Sequence, residues 1–225
     1  MRMIAVYHKG EPARYISHLD VQRTLHRAFR RANLPIAFSQ GFNPHPQISF
    51  ASALSTGMAG DAEWFDVQLA SDMEPQEFLD RVNAVMPMGL SVSDAFVAPE
   101  GFGTLASKLA AAEYIACVAF DRPVAGEALS STIDTMLGGE IMMNKRTKSG
   151  IKPVDIRPQI LGVFVTGIEG NQATLRVLGK LQADGGLRME LLLDALYDRL
   201  DARGTAKVTR TAMYFASDGP LPRLN

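Results

Sequence analysis

The chain has 225 residues, 23 Lys and Arg against 24 Asp and Glu, a formal net charge of −1 and 47% hydrophobic residues. Its length allows one large domain or two of about 100 residues each, and no stretch approaches the ~18 consecutive apolar residues of a membrane-spanning helix. A single cysteine, Cys117, excludes an internal disulfide and any cysteine-rich metal or iron–sulfur site.

Residues 2–9 alternate as an opening strand, and their charges come too early for a signal peptide, so the expected compartment is the cytoplasm. Ser17 can cap a helix over 18–32, with Asp20 where a capping-box acid would sit and Val21, Leu25, Ala28, Phe29 and Ala32 on its apolar stripe. Leu34-Pro35 ends it. Residues 35–40 and 46–54 read as extended, and 62–70 as a strand with Phe65, Val67 and Leu69 on one face. Pro75 opens a helix over 75–86, and 90–97 is a closing strand. Residues 98–112 are small and glycine-bearing, and are expected to be a linker.

The second half repeats that order: a strand at 114–120, a helix at 127–137, extended residues at 140–147 and 152–166, a strand at 173–179, a helix at 189–200 and a strand at 207–215. Ile168-Glu169-Gly170-Asn171 reads as the turn of a hairpin. The expected fold is α+β, two tandem ferredoxin-like (βαββαβ) units with antiparallel sheets, over residues 1–98 and 113–217. A single α+β domain whose halves share a sheet is the other arrangement compatible with this order.

Charge is segregated along the chain. Residues 1–31 hold seven basic residues (Arg2, Lys9, Arg14, Arg23, Arg27, Arg30 and Arg31) against Glu11 and Asp20, and 58–100 hold nine acids against Arg81. Residues 144–157 turn basic again. Such asymmetry points to an oriented partner surface. On the first helix, Arg23, Arg27 and Arg30 recur at four and three residues and share a face, which Arg31 extends; guanidiniums in a row bind phosphates in a forked geometry and stack on bases, and the same row is also compatible with the solvent face of an amphipathic helix. Lys145, Arg146, Lys148, Lys152 and Arg157 surround Gly150 in a segment suited either to a phosphate backbone or to an ordinary solvated loop, without the glycine spacing of a P-loop.

His18 and Asp20 could form an acid–base pair, or could simply cap a helix. The Gly41-Phe42-Asn43-Pro44-His45-Pro46 turn presents Phe42, Asn43 and His45 in a fixed geometry, as either a binding element or a structural connection. The four histidines have no zinc-site spacing, so no metal is expected, and no GxGxxG points to a bound dinucleotide or other cofactor.

Four motifs, Tyr-Ile-Ser-His-Leu-Asp at 15–20, Arg-Ala-Phe-Arg-Arg-Ala at 27–32, Gly-Phe-Asn-Pro-His-Pro at 41–46 and Lys-Pro-Val-Asp-Ile-Arg-Pro at 152–158, resemble a radical-SAM-associated bacterial domain of unknown function, found alone or fused behind cobalamin-binding-type radical SAM proteins. The resemblance spans nearly the whole chain. It implies a radical SAM protein as working partner and no catalytic residue. With one cysteine where such an enzyme's cluster needs three, the chemistry would sit on the partner. Tandem ferredoxin-like units are similar to the RNA-processing repeat-associated proteins of CRISPR systems, an analogy of fold alone. The expectation is therefore a non-catalytic accessory protein that binds or presents RNA. The alternatives are a metal-independent RNA-processing enzyme using His18 or His45, and a protein-binding module that docks through the acidic 58–100 segment.

Overall fold

The computed structural model describes residues 1–147, 150–183 and 185–216. The fold is mixed α+β, with a large, mainly antiparallel sheet and few helices. The chain forms two compact units, one of Met1–Leu109 joined by Phe215, the other of Ala110–Tyr214. Lys148 and residue 217, the expected end of the second domain, lie outside the described residues.

In the first unit, strand β1 (Arg2–Lys9) pairs antiparallel with β3 (Ala59–Gln68) on one side and β4 (Leu90–Val97) on the other. Strand β2 (Ile48–Phe50) pairs antiparallel with β3, giving the order β2-β3-β1-β4. Alternation along β1 sends Met3, Ala5 and Tyr7 into one core with Phe65 and Val67 of β3. Helix α1 (His18–Arg31) covers that face with Val21, Leu25, Ala28 and Phe29, and helix α2 (Pro75–Asn83) adds Phe78 and Val82. Phe29 lies 6.0 Å from Phe65 and 6.1 Å from Phe78, ring centre to ring centre; burying each such side chain contributes about 1.5–3 kcal/mol before its entropy is subtracted. Helix α2 stops three residues short of the expected 86. The Asn83 side chain donates to the Val92 carbonyl and accepts from the Val92 amide, both at 2.8 Å, so the helix end is sewn to the start of β4.

In its main strands and two long helices the second unit repeats the β-α-β-β-α-β order, with a hairpin and a two-residue strand added. Strand β5 (Leu109–Phe120) lies between β9 (Gln172–Gln182) and β11 (Gly204–Phe215), and β8 (Ile160–Glu169) pairs with the other side of β9, giving β8-β9-β5-β11. The two-residue β10 (Gly185–Gly186) pairs with the end of β9. Helices α4 (Gly126–Leu137) and α5 (Met189–Leu200) bury Leu129, Ile133 and Met136, and Leu192, Leu193 and Leu196.

Two stretches differ from the sequence reading. Residues 98–112 are not a plain linker: α3 (Leu105–Lys108) is a helical turn capped by Thr104, β5 begins at Leu109, and Phe102, Leu105, Leu109, Ala111 and Ala112 are buried. Their small side chains read as loop, whereas alanine also suits a strand packed closely on both faces. Residues 140–155 are not a strand of the main sheet but a separate two-stranded hairpin of β6 (Met142–Thr147) and β7 (Gly150–Asp155). Asp155 closes its base, accepting through Oδ1 from the amides of Ile141 and Arg157, each at 2.9 Å.

Candidate functional site

Helix α1 starts at a genuine cap. The Ser17 hydroxyl accepts from the Asp20 amide at 3.2 Å and donates to the Asp20 carboxylate at 2.7 Å. Asp20 also receives Arg23 at 3.1 Å. The Ser17 hydrogen bond, assisted by Arg23, holds the Asp20 carboxyl below the usual carboxylate range. The His18 ring packs against Phe50 in a T-shaped arrangement, 4.6 Å between centres.

The arginine row divides chemically. Arg23 is neutralised by Asp20, while Arg27, Arg30 and Arg31 are exposed and have no carboxylate partner among the described residues. Arg27 donates to the Thr24 hydroxyl at 3.1 Å and Arg31 to the Val85 carbonyl at 2.6 Å; the Arg30 guanidinium makes no hydrogen bond among the described residues. Three guanidiniums within five residues of one helix repel each other, and an anion between them would relieve that repulsion.

Two clefts meet at these side chains. One, of about 370 Å³, is lined by Arg27, Arg30 and Arg31. The other, of about 340 Å³, has apolar walls of Pro12, Ala13, Ile16, Pro87, Met88 and Leu90. Thr24, Arg27 and Arg31 complete it, so the two clefts share Arg27 and Arg31. Its walls are fixed by backbone chemistry. The Gly10 amide donates to the Gly89 carbonyl at 2.9 Å. Gly89 takes φ +85°, and a side chain there would meet the Ala13 nitrogen at 2.9 Å and the Glu11 carbonyl at 3.0 Å. Buried Arg14 pins the same loop, donating to Gly57 at 2.8 Å and Glu11 at 2.9 Å. Charge patterning points to the arginines and not to these walls; Pro12 and Pro87-Met88-Gly89 are the signal that could have marked them.

The turn at 41–46 is held from within. The Ser39 hydroxyl bonds the His45 amide at 3.1 Å and approaches His45 Nδ1 at 2.9 Å, while Phe42 and Asn43 are left exposed. His26 of α1 feels this turn. Burial first, and then the charge of His45, push its imidazole below the ordinary value of 6.5, and its Nε2 is buried without a hydrogen-bond partner among the described residues.

In the second unit, β6 and β7 set Lys145 directly opposite Lys152 and Arg146 opposite Ile151. None of these three cations has an ion pair among the described residues, and like charges across a strand pair destabilise it. Arg157 is different: it donates to the Leu137 carbonyl at 2.6 Å and the Ile160 carbonyl at 2.9 Å, capping α4 rather than facing outward. The acidic segment does not form one face either, since Glu63 and Asp66 are buried and Asp66 pairs with Arg2 at 2.8 Å. Among the described residues, no group of three His, Cys, Asp or Glu could hold a metal, and no helix is long and apolar enough to cross a membrane.

A sequence profile described as "Uncharacterized protein conserved in bacteria (DUF2344)" matches residues 2–188. The chain belongs to that family. No curated protein matches it. In fold, this family member is similar to a chain of the crystal structure of a Cbf5–Nop10–Gar1 complex, with a TM-score of 0.59 and 14% identity over 99% of this chain and 52% of that one. It is also similar to a chain of the archaeal box H/ACA sRNP Nop10–Cbf5 complex (TM-score 0.53, 12% identity, 93% and 47% covered). A third likeness is to a chain of an H/ACA RNP bound to a substrate RNA containing 2′-deoxyuridine (0.51, 14%, 94% and 47%). The chain thus spans about half the length of these structural relatives, and at these identities the likeness is one of fold alone.

Proposed function

We propose that this protein is a non-catalytic RNA-binding accessory subunit that presents RNA to a radical SAM enzyme in the cytoplasm. The observation that carries the RNA reading is the exposed cluster of Arg27, Arg30 and Arg31, three guanidiniums that no carboxylate neutralises among the described residues. The hairpin cations Lys145, Arg146 and Lys152 support it independently. Two of the structural relatives are chains of H/ACA RNA–protein particles. The shared β-α-β-β-α-β order and equivalent strand orders of both units support tandem ferredoxin-like units as the scaffold. The radical SAM partner rests on the four sequence motifs, and Cys117, the sole cysteine, cannot hold the partner's cluster.

The test is binding of the purified protein to cellular RNA across a salt series, beside Arg27→Glu/Arg30→Glu. The expected result is RNA retention that weakens steeply with salt and falls at least tenfold in the double variant. Equal retention by both proteins would sink the RNA reading.

A further inference from the structure

The paired clefts on α1 carry a more specific conclusion, which rests on the RNA reading. We infer that they form a pocket for one unstacked nucleotide of a single-stranded RNA, with the base in the apolar cleft and its phosphate on the arginines. The two halves of a nucleotide differ in chemistry, and so do the two halves of this site. The larger cleft is lined by the side chains of Arg27, Arg30 and Arg31, which bring three guanidiniums to it. The smaller, at about 340 Å³, lies at the small end of the ~300–1,000 Å³ range of ligand pockets.

Its apolar walls end at Met88, a residue 83% exposed. A thioether held in water gains on covering an aromatic face. Tyr15, two residues beyond the cleft's Ala13, also holds its ring in solvent, with the buried Arg14 guanidinium 5.9 Å from its centre, and can stack a neighbouring base. Arg27 and Arg31 line both clefts, and an arginine can stack its plane on a base while its N–H groups bond the attached phosphate. In duplex RNA the bases are stacked away and the deep groove is closed to side chains, so single strands are the form this pocket can read. A purely acidic peptide would use the guanidiniums and leave Pro12, Ile16, Pro87 and Met88 uncovered.

The experiment uses the full chain with 13C-labelled methionine methyl groups and follows the Met88 resonance, assigned with Met88→Leu. Adenosine 5′-monophosphate is expected to shift it by ring current, and ribose 5-phosphate to leave it in place. Thr24→Phe, which fills the cleft from a half-buried position on α1, keeps all three arginines and removes only the hydroxyl that accepts from Arg27, should abolish the shift. It should also weaken single-stranded RNA binding about tenfold, with duplex RNA binding unchanged. Met88→Ser, at an exposed position the fold does not depend on, should weaken single-strand binding in the same direction. RNA binding that persists with no Met88 shift and with no loss in either variant overturns the pocket and leaves the RNA reading intact. A Met88 shift produced by a poly-glutamate peptide and not by the nucleotide overturns it in favour of a protein ligand. Absence of RNA binding in the wild type overturns the RNA reading and this inference together.

Discussion

Ser17, Asp20 and Arg23 form a closed set at the start of α1: a hydroxyl that caps the helix, a carboxylate that accepts from it, and a guanidinium that neutralises the carboxylate. Ser17→Ala should therefore lower unfolding stability by about 1 kcal/mol, measured by urea denaturation, with RNA affinity unchanged. A loss of RNA affinity with no loss of stability would instead place Ser17 and Asp20 in the binding site. Gly89 is constrained twice, by φ +85° and by the Ala13 and Glu11 backbone within 3.0 Å of any added carbon. Gly89→Ala should cost roughly 2 kcal/mol, read from the same denaturation curve, and should also disturb the apolar cleft. His26 gives a pH signature. Its folded-state pKa is held below 6.5, by burial first and His45 second, so the unfolded chain takes up the proton first. The stability His26 contributes is full above pH 6.5 and declines as pH falls through that value. His26→Gln should show a shallower loss between pH 7.5 and 5 than the parent; parallel curves would mean that the imidazole titrates normally.

At the scale of elements, the hairpin β6–β7 holds two lysines face to face at Lys145 and Lys152. Lys152→Glu turns that repulsion into attraction, so the hairpin should keep or gain a few tenths of a kcal/mol while RNA affinity falls. Opposite signs for stability and binding are hard to obtain from a merely structural residue, and filter binding beside thermal unfolding reads both. The hairpin also shows what periodicity could and could not convey. Alternation marked 140–147 and 152–166 as extended, but which strands pair is decided by Asp155 accepting from Ile141 and Arg157, contacts between groups that no single-strand pattern contains. Helix α1 was legible because its cap, apolar stripe and Leu34-Pro35 stop are all local signals. The burial of 109–112 was not, because alanine carries no strong strand preference and its place there follows from close packing.

For the whole molecule, a net charge of −1 excludes a diffuse attraction to RNA, so any salt dependence must come from local cations. The sequence already located those cations, yet it could not separate Arg27, Arg30 and Arg31 from Arg23 and Arg157. That distinction depends on partners, Asp20 for the one and the Leu137 and Ile160 carbonyls for the other. With Arg27, Arg30, Arg31, Lys145, Arg146 and Lys152 each meeting a phosphate, the slope of log affinity against log salt on single-stranded RNA should be about −4, at ~0.7 per contact. Arg23→Gln, whose guanidinium is already paired, should leave that slope in place. Arg27→Glu/Arg30→Glu should bring it to roughly −3, and Lys145→Glu/Lys152→Glu should do the same from the other unit. A slope that both double variants lower by equal steps means that one RNA meets cations of both units. A slope that responds to the helix variant alone restricts the RNA surface to the first unit, and the hairpin then becomes the natural place to look for the protein partner.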